Sequence, residues 1–368
     1  MRLERRTTPS PLALLLAPLA AVAFTLGVCA LLVLWAGAPV GRTYAAIVQG
    51  AFGSLFAWSE TLTRAVPLIL TGLAATVAFK ARLFNIGAEG QLYGGAMAAV
   101  AVGSLLVVEG AEGTPALALP AGVALAVVFM AAAMVGALLL LGPAWLKARL
   151  GVDEVVTTLL MNFVILLGVS ALLDGPMKDP TAMGWPQSVA LPAELELARP
   201  FQGLRLHSGL VVAALSGVAL WLVFRHTVLG FQIRASGANA RAAAFAGVPP
   251  LRTTLLVALL SGGLAGLAGA VEVAGRTGYV TLDMSPGYGY SGIVIAMLAG
   301  LHPLAVLAAA VFVAGMLVGA DSMSRAVGVP TYIADVVVAA SLIAVLVAAM
   351  LAQYRVRWRG PGAAGAAT

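Results

Sequence analysis

Long stretches without a charged residue limit the fold of this chain most strongly. Leu12–Ala36 contains no Asp, Glu, Lys or Arg, and neither does Met284–Ala320. A membrane hydrocarbon core of about 30 Å takes about 20 apolar residues per helix, so these stretches are typical of membrane spans. Over the whole chain 61% of the residues are hydrophobic and only 10% are charged, whereas soluble domains are about 25% charged. The sequence therefore predicts an integral membrane protein.

The uncharged stretches predict an all-α fold with about ten transmembrane segments of about 20 residues each. The stretch 284–320 is too long for one span and contains Gly300-Leu301-His302-Pro303. Proline disfavours helix at its own position and at the residue before it, so we expect a short or re-entrant segment, Tyr288–Gly300, and then a full span, Pro303–Ala320. The other predicted spans are Leu12–Ala36, Leu62–Phe79, Gln91–Val108, Pro115–Leu141, Val155–Leu173, Leu210–Phe224, Leu255–Val271 and Tyr332–Gln353.

The basic residues predict that both termini are cytoplasmic. Cytoplasmic loops carry an excess of Arg and Lys, and this orientation places most of the basic residues inside. Residues 1–368 then form a single transmembrane domain with two long connections. The 225–253 loop is cytoplasmic, and the 174–207 loop lies outside.

The N-terminus could also be read as a secretory signal, because Met1–Arg6 is basic and precedes an apolar run. That run stays uncharged from Thr7 to Gly41, far beyond the roughly 7 to 15 residues of a cleavable signal, which favours a retained first span. Cys29 is the single cysteine. A lipidation site there is the alternative, disfavoured by its position within the span.

Sequence signatures of catalysis and of nucleotide binding are missing. No lysine stands in a Gly-Lys-Ser/Thr motif, so the sequence has no P-loop, and the histidines at 207, 226 and 302 are not spaced as metal pairs. A single cysteine gives neither a disulfide framework nor a cysteine-based metal site. The net charge of +6 comes from scattered residues, so nucleic acid is not an expected partner. We therefore predict no catalytic residue, no metal site and no cofactor in this chain.

A short helix is predicted inside the 225–253 loop. Asn239 can cap its first amides, the residues 240–246 are rich in alanine, and Gly247 suits the left-handed position after a helix. Such a short helix is unstable alone in water. We expect it to rest on a partner protein, with an interfacial helix on lipid as the alternative.

Several motifs resemble the permease subunits of bacterial ATP-binding-cassette (ABC) importers. Arg234-Ala235-Ser236-Gly237-Ala238-Asn239, followed by Ala242, Ala243 and Gly247, is similar to the cytoplasmic coupling loop of permeases for ribose, other simple sugars, nucleosides and branched-chain amino acids. Phe84–Gln91 and Gly151–Phe163 resemble the nucleoside and simple-sugar branch most closely. Residues 261–269 and 287–300 also match in order and spacing, and the resemblance covers about Leu62 to Gln353.

This resemblance implies an assembly in the bacterial plasma (inner) membrane. A separate ATPase subunit would hydrolyse ATP, a second permease subunit of the same or a different sequence would complete the translocation path, and an extracellular substrate-binding lipoprotein would deliver the cargo. Membrane lipid would surround the spans. The residues implied in ATPase coupling are Arg234, Gly237, Asn239, Ala242, Ala243 and Gly247.

The expected substrate path is polar and mostly uncharged. Its candidate residues are Asn85, Glu89, Gln91, Thr157, Thr158, Asn162 and Ser291. No intramembrane Arg or Lys is available to balance an anionic cargo, so we expect a neutral polar solute. The resemblance favours nucleosides, with simple sugars or branched-chain amino acids as alternatives.

Two of these path candidates have structural alternatives, and two alternative functions are an ion-coupled secondary transporter and a lipid-modifying membrane enzyme. Glu89 can instead partner a break in the backbone, and Asn162 can instead hold helices together. An ion-coupled secondary transporter usually needs charged groups near mid-membrane, and a lipid-modifying enzyme needs an acid, a base and a nucleophile together. Neither requirement is met by the predicted spans.

Small residues and carboxylates near the span ends carry further expectations. Gly90 and Gly94, and likewise Gly262 and Gly266 with Ala270, are spaced for close helix packing. The carboxylates Glu272 and Asp335 are expected near the exterior mouth. They can bind substrate, contact a docking protein, or pair with Arg276 or Arg325.

Overall fold

The computed structural model describes residues 2–5, 23–31, 33–35, 37–108, 118–328 and 331–357. This part of the chain is predominantly helical. After helical residues 23–31 and 33–35, the helices are α1 (Val40–Phe52), α2 (Leu55–Lys80), α3 (Ala88–Leu105), α4 (Ala121–Leu150), α5 (Glu154–Asp174), α6 (Gly209–His226), α7 (Val228–Ala238), α8 (Ala240–Phe245), α9 (Pro250–Glu272), α10 (Tyr288–Leu298), α11 (Pro303–Val327) and α12 (Thr331–Gln353).

Short strands form two small pairs. β1 (Arg2–Arg5) pairs antiparallel with β4 (Tyr354–Arg357), and β2 (Val107–Val108) pairs parallel with β3 (Ala118–Leu119). A 3-10 turn covers Ala193–Leu195. A π-helical stretch, Val273–Thr277, follows α9 directly and is called the π segment below.

Six helices in the described residues are long and apolar enough to cross a membrane, or seven where Ala23–Trp35 and Val40–Phe52 together form one span. The six are α2, α4, α5, α6, α9 with the π segment, and α11. The prediction of a helical, multi-pass membrane protein is therefore confirmed. The predicted segments at Gln91–Val108 and Tyr332–Gln353 are helical as α3 and α12, and Leu12–Ala36 lies partly outside the described residues.

Two predicted span boundaries are wrong by about two turns. The span predicted as Leu62–Phe79 begins at Leu55, because Glu60 and Arg64 lie one turn apart and pair at 3.8 Å within the helix. The span predicted as Pro115–Leu141 runs from Ala121 to Leu150 and ends at Gly151, whose left-handed φ of 68° stops the helix. Charged residues that find partners therefore extend helices past the uncharged run.

The predicted break before Pro303 is confirmed. α10 ends at Leu298 and α11 begins at Pro303, with Gly300 and Leu301 both left-handed at φ 58° and 57°. The 11 residues of α10 rise only about 17 Å at 1.5 Å per residue. α10 is therefore too short to span the membrane alone.

Glycines allow the central helices of the compact unit Leu55–Ala314 to touch backbone to backbone. A Cβ on Gly262 would overlap the carbonyl oxygen of Gly136, and one on Gly266 would overlap that of Ala132. A Cβ on Gly95 would overlap Gly266 in turn. The predicted close packing at Gly262 and Gly266 is confirmed, and it brings α3, α4 and α9 together.

The second compact unit contains residues 1–54 and 315–368. Within it, the β1–β4 ladder places Arg2 opposite Arg357. α1 packs closely on α11, because a Cβ on Gly319 would come within 2.6 Å of the carbonyl oxygen of Ile47.

The 174–207 loop is fixed to the residues that follow α9. The Ser188 amide donates to the Val280 carbonyl at 3.0 Å, and the Leu191 amide donates to the Gly278 carbonyl at 2.7 Å. A third bond joins the Leu197 amide to the Ala274 carbonyl at 2.8 Å. This loop therefore lies along the π segment and the chain just after it.

Candidate functional site

The turn 83–87 between α2 and α3 is held by the side chain of Asn85. Its amide nitrogen donates to Gln91 Oε1 at 2.9 Å and to Ser261 Oγ at 3.1 Å, and its oxygen accepts from Gln91 Nε2 and from the Gly87 amide, both at 3.0 Å. Ser261 Oγ donates to the carbonyl of Ala74 at 2.8 Å. Both amide side chains are buried. These bonds join α2, α3 and α9 through groups that are all satisfied, as buried polar groups require.

Two side chains of α5 bind the same turn from the other side. Asn162 accepts from the Gly90 amide at 2.8 Å and donates to the Ile86 carbonyl at 2.9 Å and to the Tyr290 hydroxyl at 3.1 Å. Thr158 Oγ1 accepts from the Ile86 amide at 3.2 Å. Both side chains are buried. The predicted alternative for Asn162, holding helices together, is the role that its contacts have in this conformation.

Glu89 holds the first turn of α10. Its carboxylate accepts from the Gly289 amide at 2.6 Å, and Thr71 Oγ1 donates to the Tyr288 carbonyl at 2.9 Å. The first amides of a helix have no partner within the helix, and a carboxylate there is favoured by the helix dipole. Glu89 thus partners the start of a broken helix, which is one of the two roles predicted for it.

The two other predicted path residues lie outside this network. Thr157 is partly exposed, and its hydroxyl bonds only to the carbonyls of Asp153 and Glu154 in its own helix. Ser291 is partly exposed in α10. The structure therefore joins four of the predicted path residues in two pairs: Asn85 bonds directly to Gln91, and Thr158 and Asn162 both bond to Ile86. Glu89 bonds separately to the Gly289 amide, next to the Tyr290 that Asn162 contacts.

The short helix in the 225–253 loop forms as the sequence predicts. Asn239 Oδ1 accepts from the amides of Arg241 and Ala242, each at 3.1 Å, at the start of α8. Gly247 follows the helix with a left-handed φ of 88°. The cap at Asn239 and the left-handed glycine are confirmed.

The predicted coupling residues divide by the surface they contact. Arg234 donates to the carbonyl of Phe224, and a Cβ on Gly237 would overlap the carbonyl of Lys80, so both hold α7 to the helix bundle. Ala243 is buried, whereas Ala242 is exposed. Phe245, at the end of α8, is 97% exposed. Sequence reasoning missed Phe245, although an aromatic residue in an alanine-rich helix was a signal.

A cluster of ion pairs lies at the opposite end of α2 from Lys80. Glu272, which is fully buried, pairs with Arg276 in the π segment. Glu60 lies 3.8 Å from Arg64 and 3.5 Å from Arg205. The predicted pairing of Glu272 with Arg276 is confirmed. The side chain of Asp335 lies outside the described residues.

His207 closes the 174–207 loop in a slot made of glycines. Its Nδ1 accepts from the Gly209 amide at 3.2 Å, and a Cβ on Gly209 would come within 2.6 Å of that atom. Burial, with the nearby charge of Arg199 second, lowers the pKa of His207 to about 4. The imidazole is therefore neutral at pH 7.

Comparison with known families matches most of the chain. The family described as the branched-chain amino acid transport system / permease component matches residues 57–346. This range contains α2 from its third residue and all of α3 to α11, and with them the polar network, the 225–253 loop and the ion-pair cluster.

Curated relatives match the chain over most of its length. The guanosine ABC transporter permease protein NupP of Bacillus subtilis is 35% identical over 88% of this chain and 91% of its own. The glucose ABC transporter permease protein TsgB13 of Haloferax volcanii is 38% identical over 82% and 79%, and the nucleoside ABC transporter permease protein NupB of Lactococcus lactis is 31% identical over 88% of each. No solved structure matches. The chain therefore belongs to the branched-chain amino acid transport system permease family and is a permease subunit of an ABC importer.

Proposed function

We propose that this permease imports a neutral polar solute, with nucleosides as the first candidate. The observation that carries the proposal is the similarity to a guanosine permease over about nine-tenths of both chains, at 35% identity. The second candidate is a simple sugar, because the glucose permease is 38% identical. The candidate path residues add hydroxyls and amides without a basic side chain, which favours an uncharged cargo.

Membership of the family supports the following assembly. An ATPase subunit that is a separate chain hydrolyses the ATP, a second permease subunit completes the path, and an extracellular substrate-binding lipoprotein delivers the cargo. The protein lies in the bacterial plasma (inner) membrane with about ten segments of about 20 residues and with both termini in the cytoplasm. The 225–253 loop then faces the ATPase.

The polar network positions the path, and the partly exposed hydroxyls contact the cargo. Four side chains of the network form their hydrogen bonds with the turn 83–87 and with neighbouring helices: Asn85, Gln91, Thr158 and Asn162. Thr157 and Ser291 are partly exposed and can bind a passing hydroxyl group. A cargo released by a binding protein needs only weak contacts along such a path.

Competition for uptake tests the cargo. Cells expressing the whole importer take up labelled guanosine or uridine, and unlabelled adenosine, ribose, glucose and leucine compete. Inhibition by nucleosides supports the first candidate, and inhibition by glucose or ribose alone supports the second. Inhibition by leucine alone contradicts both and leaves a branched-chain amino acid permease.

The ATPase contact is tested on the exposed face of α8. Phe245→Ala removes the exposed ring, and Ala242→Trp adds bulk at an exposed position; both are expected to lower co-purification of the ATPase subunit. Ala243 is buried, so a tryptophan there would disturb the fold of the loop itself. Phe201→Ala is the matched control, because Phe201 is 55% exposed in the 174–207 loop. Unchanged co-purification in both α8 variants would contradict this contact.

The source of energy separates the importer from an ion-coupled transporter. Uptake into vesicles is expected to persist with a protonophore or without sodium, provided internal ATP is held constant. Loss of uptake under constant ATP would favour a secondary transporter.

A further inference from the structure

Lys80, the last residue of α2, holds the turn between α10 and α11. Its ammonium group donates to the carbonyl of Leu301 at 3.1 Å. Leu301 has a φ of 57°, in the left-handed region that bulky residues rarely enter. Strained residues of this kind persist only where their surroundings hold them. The bond from Lys80 is one such restraint.

The 225–253 loop contacts the same lysine at its backbone carbonyl. A Cβ on Gly237 would overlap the Lys80 carbonyl oxygen, so α7 rests directly on the backbone at the end of α2. The ammonium group also lies 4.7 Å from the ring centroid of Phe224, whose carbonyl accepts from Arg234 of α7. A displacement of α7 toward α2 therefore moves the backbone of Lys80 directly.

Lys147 offers the same chemistry without the contact to α7. Its ammonium group donates to the carbonyl of Arg82, another residue with a left-handed φ, of 56°, and to the carboxylate of Glu154. These partners belong to the turn after α2 and to α5. Lys147 thus clamps a strained turn that does not connect the 225–253 loop with α10.

We propose that Lys80 is a positioning residue that transmits movement of α7 and α8 to the turn between α10 and α11. The proposal rests on the proposed docking of an ATPase at α8. When the ATPase moves α8, α7 moves the end of α2 through Gly237, and the ammonium group of Lys80 carries the Leu301 carbonyl with it. The first turn of α10 is anchored by Glu89, so a shift at Leu301 moves the far end of α10 relative to its anchored start.

Lys80→Met tests this link, because methionine keeps an apolar stem near Phe224 and removes the donor. In proteoliposomes holding the whole importer, the amount of solute transported per ATP hydrolysed is expected to fall about five-fold or more, the lower range of couplings between protein sites. ATPase co-purification is expected to stay unchanged. Lys80→Arg, which keeps a cationic donor, is expected to restore most of the ratio. A normal ratio in Lys80→Met would overturn the proposal.

Lys147→Met is the matched control. It removes a clamp of the same kind and is expected to keep the ratio in the complexes that assemble. An equal loss in both methionine variants would mean that any weakened clamp uncouples transport, and it would overturn the specific role of Lys80. If Lys80→Met does not insert, Gly237→Ala gives a second test, because the added methyl group would overlap the Lys80 carbonyl and separate α7 from the end of α2. A normal ratio in Gly237→Ala would also count against the proposal.

Amide hydrogen exchange separates transmission of movement from a purely structural role of Lys80, because only transmission makes the exchange rates depend on the state of the ATPase. Amides 299–302 are compared in the nucleotide-free complex and in the complex trapped with ATP and vanadate. Trapping is expected to change their exchange in the wild type and in Lys147→Met, and to leave it unchanged in Lys80→Met. A change that persists in Lys80→Met would refute the link. Normal assembly of the complex that carries Phe245→Ala would instead count against the proposed docking site.

Discussion

The carboxylate of Glu89 accepts a hydrogen bond from the amide of Gly289 at 2.6 Å, across 200 residues of sequence. The approach is close enough that a Cβ on Gly289 would come within 2.6 Å of Glu89 Cα. α3 and α10 both begin at this point. One carboxylate thus supplies the missing acceptor for the amide of a short helix that cannot cross the membrane alone.

Glu89→Ala is expected to lower stability by about 1–3 kcal/mol, the usual result of leaving a buried donor unsatisfied. Glu89→Gln keeps an acceptor oxygen and is expected to lose less. Thermal unfolding in detergent measures both variants. Glu196→Gln is the control, because its ion pair with Arg199 is 3.9 Å long and about half exposed, where such pairs contribute about 0–1 kcal/mol. Wild-type stability in Glu89→Ala would contradict the role of this bond.

Gly266→Ala is expected to destabilise the protein far more than Gly263→Ala. The added methyl group of Gly266→Ala would overlap the Ala132 carbonyl and force α4 away from α9, whereas that of Gly263→Ala would lie 3.5 Å from the Ala133 carbonyl, an ordinary contact. Overpacking of a tight interface costs about 1–3 kcal/mol. The yield of folded protein and the unfolding temperature compare the two variants. Equal values would refute backbone contact at Gly266.

Local chemistry explains what the sequence predicted well. The Asn239 cap, the left-handed Gly247 and the break before Pro303 each depend on neighbours within a few residues. Their side-chain and backbone preferences act before any tertiary contact forms. The small residues of α9 were also readable, because their spacing places Gly262 and Gly266 on one helical face.

The hydrogen bonds that the sequence did not predict join residues that lie far apart in the chain. Asn162 finds Tyr290 across 128 residues, and Asn85 finds Ser261 across 176, and no local pattern specifies such pairs. The start of α2 was misplaced because the predicted span begins at Leu62, after Glu60. The i,i+4 pair of Glu60 with Arg64 was readable from the sequence, whereas the pair with Arg205 becomes visible only in the folded chain.

Asn162→Leu is expected to reduce the yield of folded protein rather than the affinity for cargo. It leaves the Gly90 amide and the Ile86 carbonyl without partners, at about 1–3 kcal/mol for each buried group. Ser216→Ala is the control, because that hydroxyl donates to the carbonyl of Val212 in its own helix and is not a candidate for the path. Yield and uptake kinetics are measured together. Normal yield with a raised KM in Asn162→Leu would place Asn162 in contact with the cargo instead.

Acidification is expected to loosen the 174–207 loop through His207. The pKa of His207 is about 4 in the folded protein and 6.5 without its surroundings, so the unfolded state binds more protons between these values. Stability is then full above pH 6.5 and falls as the pH drops toward 4, by up to about 1.4 kcal/mol per pH unit. Protonation at Nδ1 also removes the acceptor of the Gly209 amide. Limited proteolysis of the loop and thermal unfolding between pH 7.5 and 5 measure this loss.

His207→Gln removes the titrating group and is expected to flatten the pH profile, at a lower stability at pH 7.5 because glutamine fits the glycine slot less well. His226→Gln is the matched control, because His226 is exposed at the end of α6. It is expected to keep the wild-type profile. The slope between pH 6.5 and 5 decides the matter, since protonation of His207 is the step that favours the open loop. If His207→Gln and the wild type lose stability with the same slope, other groups produce the pH dependence and His207 does not anchor the loop by remaining neutral.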